Sequence, residues 1–374
     1  MGAGRSTFAS TLISPQDVRS FRRSLSRWYR RDGRDLPWRR TRDPYAILVS
    51  EFMLQQTQVA TVLPYYNKWL RRFPDFSALA LAAESSVLHA WQGLGYYARA
   101  RNLHALAKIL LREHGGVLPD KIDNLRALPG IGRYTANAVA TFAFDRSVPL
   151  VEANIARVMA RLFAVRDPID SSRGRETIWH YAAHFLPARG AASHNSALMD
   201  LGALVCTARA PKCRICPVNK FCRAQDPETL PIKKLRPPRK ELTEAHAFTF
   251  HRNRLLLEQS SGRWRGMWIL PRARSTMEPR GRARHGWATR TGELSGENES
   301  SSGRPLHVLI FPFTNHRITL KIFACPPPRL RTKVQRWFSP AQLASIPMPS
   351  PHRRAVEQLL ARRLQKLCST FAPA

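Results

Sequence analysis

LRALPGIGRYTANAVATFAFDRSVPLVEANIARV, residues 125–158, is the stretch on which the fold of the surrounding chain turns. Leu125 and Leu128 lie on one side of Pro129-Gly130-Ile131-Gly132, and Tyr134, Ala138, Val139 and Phe142 recur at helical spacing on the other. The pattern predicts helix, tight turn, helix. Gly130 and Gly132 can both take positive φ without a Cβ clash, so the turn and the first turn of the next helix can aim several N–H groups at one anion. A nucleic-acid phosphate suits such a site, although the turn alone reads equally as an ordinary αα connection. Downstream, Glu152 is a candidate catalytic carboxylate.

Outward from this turn the helical period holds from Pro15 to about Arg223, with prolines at 64, 74, 119, 129, 149, 168 and 187 dividing it into helices of ordinary length. The expected architecture is an all-α region over 15–223, as one domain or two α lobes sharing a cleft, behind a disordered lead at 1–14. Residues 224–241, AQDPETLPIKKLRPPRKE, are polar and Pro-rich and read as a linker. Beyond it, β-branched runs at 245–258 and 307–323 and a helical pattern at 353–367 predict a small α+β domain over 242–367. Residues 272–305, rich in Arg, Gly, Ser and Glu, read as a disordered insertion within it.

Lys and Arg number 60 against 26 Asp and Glu, a formal charge of +34. Such a surface takes polyanions, and the lack of an 18-residue apolar run favours nucleic acid over a membrane. No secretory signal is visible at the N-terminus, so an intracellular, cytoplasmic protein is expected. In a reducing compartment Cys206, Cys213, Cys216 and Cys222, spaced C-x6-C-x2-C-x5-C, suit a metal centre rather than disulfides. Four thiolates accept zinc or a [4Fe-4S] cluster equally. Arg209, Lys212, Arg214, Lys220 and Arg223 give that loop a positive surface.

The cysteine spacing and the turn, taken with LPWR (36–39), SEFMLQQTQV (50–59) and GLGYYAR (93–99), closely resemble the adenine DNA glycosylase family of the helix-hairpin-helix superfamily. The resemblance covers about residues 17–223 and extends more loosely into the second domain. It implies a [4Fe-4S] cluster rather than zinc, a monomer acting on double-stranded DNA with an adenine mispair, and removal of adenine opposite 8-oxoguanine or guanine in base excision repair.

Each motif has a physical reading beside that implication. Purine release needs a proton on the ring, delivered by an acid whose pKa is raised in a dry pocket. Glu51, alone in the otherwise apolar and amide-rich run 47–62, fits that role. Gln56 and Thr57 follow in the same segment, and the resemblance puts them near the lesion pair. Leu94 and Tyr96, in a glycine-flanked turn, suit a wedge that unstacks a base step. Tyr134 stands where bifunctional relatives carry a catalytic lysine; a phenol forms no Schiff base, so base removal without efficient strand cleavage is expected.

A carboxylate near the anomeric carbon stabilises the oxocarbenium-like sugar left behind. The family typically has Asp-Gly-Asn here, and this chain has Glu152-Ala153-Asn154. The added methylene is about 1.5 Å of reach, and a displacement of about 1 Å can cost on the order of 10²-fold in rate. Backbone adjustment through Ala153 restoring the geometry is the favoured outcome; a slow enzyme and a catalytically weakened lesion binder are the alternatives, and Asp145 is the only nearby substitute acid. Asn154 is expected to orient the carboxylate. Ser196 replaces the family's usual Gln or Glu at the adenine edge, shifting base discrimination to Trp38, Arg39 and pocket shape. In the second domain Trp264–Pro271 resembles the W-x-G-x-W-x-x-P stretch of the family's Nudix-like recognition domain, and Phe313-Thr314-Asn315 with His316 is the nearest match to its 8-oxoguanine-reading loop. The competing enzyme reading is a related glycosylase with another mismatch preference, such as thymine opposite guanine.

Overall fold

Ser14 caps the first helix, its hydroxyl accepting the Asp17 amide at 3.1 Å with Pro15 in the first helical position. The computed structural model describes residues 14–235, 237–273, 304–328 and 332–369. The expected lead, Ser14 apart, and most of the expected 272–305 insertion lie outside them. The helices are α1 (Pro15–Asp32), α2 (Pro44–Leu54), α3 (Val59–Arg72), α4 (Phe76–Leu81), α5 (Glu84–Ala90), α6 (Ala98–Glu113), α7 (Ile122–Ala127), α8 (Arg133–Phe142), α9 (Ala153–Leu162), α10 (Ser172–His184) and α11 (Ala191–Asp200). Strands follow as β1 (Lys240–Phe248), β2 (Phe250–His251), β3 (Arg254–Gln259), β4 (Trp268–Ile269), β5 (His307–Phe313), β6 (His316–Ala324) and β7 (Gln335–Phe338), then α12 (Pro340–Leu343) and α13 (Ser350–Ser369).

The chain divides into two compact units. The first comprises residues 1–82 and 98–236. One of its cores joins Phe21 and Leu25 of α1 to Phe163, Tyr181 and Phe185, with the Phe163 and Tyr181 rings stacked at 3.7 Å. α2 is buried on every side from Tyr45 to Met53, as expected of a helix with almost no polar residue, and Asp43 caps it through the Tyr45 and Ala46 amides. That placement makes Glu51 a carboxyl in a core.

The second unit holds residues 237–374 together with 83–97. The inclusion of 83–97 departs from the expected boundaries, and side-chain bonds account for it: His89 Nε2 meets Ala344 O at 2.9 Å, and Gln92 Oε1 accepts from Arg353. β1 pairs parallel with β6 and β6 antiparallel with β5; β3 pairs antiparallel with β2, β4 and β7. Trp264, Met267, Trp268 and Leu270 are buried in this unit around Gly266, whose φ is +82°.

The turn joining α7 to α8 corrects one expectation. Gly130 is left-handed (φ +78°), but Gly132 is extended (φ −93°, ψ −178°) and serves as the α8 N-cap. A Cβ on Gly130 would lie 2.8 Å from Asn102 Cβ and 2.9 Å from Phe52 Cε1, whereas one on Gly132 would meet nothing within 4 Å. Gly130→Ala is therefore expected to cost about 2–4 kcal/mol from left-handed strain plus overpacking. At about 2–4 °C per kcal/mol for a unit of this size the melting temperature should fall by several degrees, while Gly132→Ala should melt like the parent; equal melting of the two would contradict this reading.

Candidate active site

In the first unit α2, α8 and the N-terminus of α9 enclose a cavity of about 660 Å³, within the range of small-ligand sites. Glu51 enters from α2 and Tyr134 from α8; Glu152 and Asn154 sit at the start of α9, and Trp38 and Arg39 come from the short 3-10 turn Pro37–Arg39. Gln56 and Thr57 also line it. Burial raises the Glu51 carboxyl from 4.5 to about 7, against a hydrogen bond from the Tyr134 hydroxyl and with the Glu152 charge adding to the rise. Tyr134 is itself held well above its ordinary range by burial and by both carboxylates, so it stays a donor.

Glu152 solves its extra methylene locally. Its Oε2 accepts the Asn154 amide at 2.7 Å and its Oε1 the Ile155 amide at 2.9 Å, the second and third amides of α9. These are the donors an N-cap Asp or Ser would take. Burial raises the Glu152 pKa; the two amides and the charges of Arg157 and Arg34 pull against it. Asp145 is exposed, with φ +53°, and is not part of the cavity wall.

Behind the wall, Asp200 is a buried anchor. Arg39 donates to both its oxygens (2.8 and 2.9 Å), and Arg34 adds its backbone amide and its Nε, each at 2.8 Å. Burial opposes the Asp200 charge, but these bonds overcome it and hold the carboxyl below its ordinary range. Arg39 Nη1 also donates to Arg34 O, which leaves its Nε–H and one Nη2–H for a ligand. Arg39 is thus chiefly a wall support. Trp38 is buried edge-on to Tyr66.

Two further arginines, Arg99 at the end of GLGYYAR and Arg157, were given no role in the motif reading. Arg99 of α6 is 6% exposed and donates to Phe52 O, Met53 O and Gln55 O at the C-terminus of α2, and to Thr57 Oγ1 at 3.0 Å. It holds the turn in which Gln56 is left-handed (φ +56°). Arg99→Met leaves those carbonyls without the guanidinium, at about 1–3 kcal/mol for each one left unsatisfied. Thermal unfolding of this variant is expected several degrees below the parent, and an unchanged melt would contradict the assignment. Arg157 joins the cavity to the cysteine loop: Nη2 donates to Asn154 Oδ1 (2.8 Å) and Gly202 O (2.7 Å), and Nε to Cys206 O (2.8 Å). Pairing at i, i+4 along α9, Arg161 is almost fully buried and donates to Cys206 Sγ, Thr207 O and Ala208 O.

Cys206, Cys213, Cys216 and Cys222 line one small pocket whose remaining walls include Val158, Leu162, Leu201 and Val218. All four are free thiols. Burial, then the neighbouring Cys206, Cys222 and Cys213, push the Cys216 thiol up to about 11 against a hydrogen bond from the Val218 amide. Among the described residues no three His, Cys, Asp or Glu side chains close on a single metal ion. The four thiols around this common pocket offer four separate ligand positions.

Other expected site residues lie elsewhere. Ser196 is 4% exposed on α11 and is not among the described lining residues; Met199, one turn further along that helix, faces the cavity instead. Leu94 is 4% exposed within the second unit, so the side chain that its turn presents to solvent is Tyr96, 45% exposed with φ +46°. Phe313 and His316 pair across the β5–β6 hairpin, with Thr314 at φ +52°. The Thr314 hydroxyl donates to Phe313 O, its own neighbour, and Arg263 lies over the Phe313 ring at 4.7 Å.

Known proteins similar to this chain are DNA repair glycosylases. The family profile of HhH-GPD superfamily base excision DNA repair proteins matches residues 49–182. An adenine DNA glycosylase of Mycolicibacterium smegmatis is 47% identical over 212 residues, covering 56% of this chain and 69% of that one. The rat adenine DNA glycosylase is 43% identical over 217 residues, 56% of this chain and 42% of its own, so this chain spans less than half the length of that relative. A thermostable thymine-DNA glycosylase superposes with a TM-score of 0.52 at 31% identity, covering 56% of this chain and 96% of that one. No described helix is long and apolar enough to cross a membrane. With its helical cavity, cysteine loop and these relatives taken together, the chain belongs to the adenine DNA glycosylase family of the helix-hairpin-helix superfamily.

Proposed function

We propose that this cavity excises adenine mispaired with 8-oxoguanine or guanine in double-stranded DNA, without efficient strand cleavage. One observation carries the reading: a core carboxyl, Glu51, raised to about 7 and hydrogen-bonded by Tyr134, shares a cavity with a second carboxyl, Glu152. Two carboxyls pushed to different tasks by their surroundings are the mark of acid-assisted glycosidic cleavage. The adenine nucleotide flips out of the stack into the cavity. Glu51, about half protonated at pH 7, gives its proton to the purine ring, and the ring takes the electron pair of the glycosidic bond as it leaves. Glu152, fixed by the Asn154 and Ile155 amides, stabilises the sugar cation until water adds and gives its surplus proton to the emptied Glu51 carboxylate. Tyr134 has no amine with which to form a Schiff base, so the strand stays intact.

DNA is gripped at the exposed turn beside Gly132, where α8 has no side-chain cap and its first amides can receive a phosphate. Gly130 supplies the bend, and open space at Gly132 lets a backbone approach. The four cysteines would hold a [4Fe-4S] cluster, which supplies rigidity and local charge to a loop carrying Arg209, Lys212 and Arg214 toward the duplex. The second unit is read as the Nudix-like recognition domain, with Tyr96 stacking beside the lesion and the Phe313–His316 hairpin as its nearest 8-oxoguanine reader.

Likeness to a thymine-DNA glycosylase keeps thymine opposite guanine as the competing substrate. Single-turnover reactions on duplexes with adenine opposite 8-oxoguanine, adenine opposite guanine and thymine opposite guanine separate the readings. Free adenine from the first two, with strand breaks only after alkali, is expected. Thymine release would transfer the assignment to the relative's chemistry, and tight binding with no released base would make the protein a lesion binder.

A further inference from the structure

We propose that the outer face of α1 is a second DNA-backbone track, separate from the hairpin and continuing from the cysteine loop. This rests on the reading of the protein as a DNA enzyme. Arg19, Arg23, Arg27 and Arg30 are all exposed and follow one another at i+4, i+4 and i+3. At 100° per residue they fall within about 80° of arc, opposite the buried Val18, Phe21, Leu25 and Trp28.

An ordinary solvated face mixes signs, and like charges at these spacings destabilise a helix. Here the acids of α1 are Asp17 in the first turn and Asp32 at the last residue, and among the described residues none of the four arginines makes an ion pair. Repulsion built into a helix in this way is relieved by a polyanion. The stripe is about 16 Å long at about 1.5 Å per residue, over which one DNA strand passes about five phosphates at about 3.4 Å of axis each. Its flank reaches the other basic surface directly: Lys220 of the cysteine loop donates to Ser20 Oγ of α1 at 3.3 Å. Arginines on a rigid helix aligned with a regular row of phosphates need no base contact, so the track would raise affinity for any duplex long enough to reach it.

Binding of the full chain to an undamaged 30-base-pair duplex, measured across a salt series, tests this. The combined variant R19Q/R23Q/R27Q/R30Q is expected to flatten the slope of log K against log salt by about 0.9 for each lost phosphate contact, about 2.7–3.6 in all, and to bind at least tenfold more weakly. Four Arg→Lys changes should keep the slope, and each single Arg→Gln change should remove about one contact. Because the substitutions relieve repulsion, melting should match or exceed the parent. Adenine release at saturating enzyme from a short duplex should be unchanged. A slope equal to that of the parent in the combined variant overturns the proposal, even if the parent excises adenine. A parent that releases no base while its steep slope depends on the stripe would sink the functional reading and leave the track standing.

Discussion

Glu51→Gln is expected to lower single-turnover adenine release by about 10³-fold, the middle of the range for loss of a general acid. The amide keeps the shape of the side chain and can still accept the Tyr134 hydroxyl, so the loss would report the proton alone. The same change should stabilise the protein at high pH. Burial raises the Glu51 carboxyl from 4.5 to about 7, so the folded state binds this proton more tightly than the unfolded chain. Stability from this group is full below pH 4.5, declines as pH rises through 4.5 to 7, and above 7 the charged carboxylate penalises the fold by on the order of 3 kcal/mol. Parent and variant should therefore melt alike at pH 4, with Glu51→Gln melting higher at pH 8. A variant less stable than the parent at pH 8 would mean that the carboxyl is satisfied as an ion and is not a poised acid.

At position 152 the expected results separate charge from reach. Glu152→Gln should reduce release by about 10²–10³-fold, as when an electrostatic stabiliser is removed, and Glu152→Ala should add about 0.5–2 kcal/mol of lost capping at α9. Glu152→Asp should stay within about tenfold of the parent, because the glutamate already folds back onto the Asn154 and Ile155 amides that a shorter cap would use. The bound carboxylate is thereby drawn toward the helix end, and its additional carbon does not carry it outward. A gain of 10²-fold or more with Asp would show instead that Glu152 is displaced and the natural enzyme slow.

What could be read from the chain, and what could not, follows from the range of the interactions. The helix–turn–helix at 125–142 and the burial of Glu51 are local signals: a glycine pair between two periodic runs, and one acid in an apolar run. Gly132 shows the limit, since sequence marks a glycine but not whether it is needed for φ or for space. Arg39, Arg34 and Asp200 meet across more than 160 residues, so their network had no motif, although Asp200 in the apolar run 197–205 carried the same kind of hint as Glu51. Arg99 and Arg157 act through carbonyls, which no side-chain motif encodes. Ser196 was assigned by alignment of motifs and Leu94 from its glycine-flanked turn; helix phase turns the first inward and packing the second.

The most direct test of the account is the pH dependence of adenine release under single-turnover conditions, on a duplex with adenine opposite 8-oxoguanine, from pH 6 to 8.5. If protonated Glu51 drives the reaction, the rate should hold below about pH 7 and fall toward tenfold per unit above it, and Glu51→Gln should be slow and flat throughout. A parent rate that stays level to pH 8.5, or a Glu51→Gln variant as fast as the parent, would contradict it.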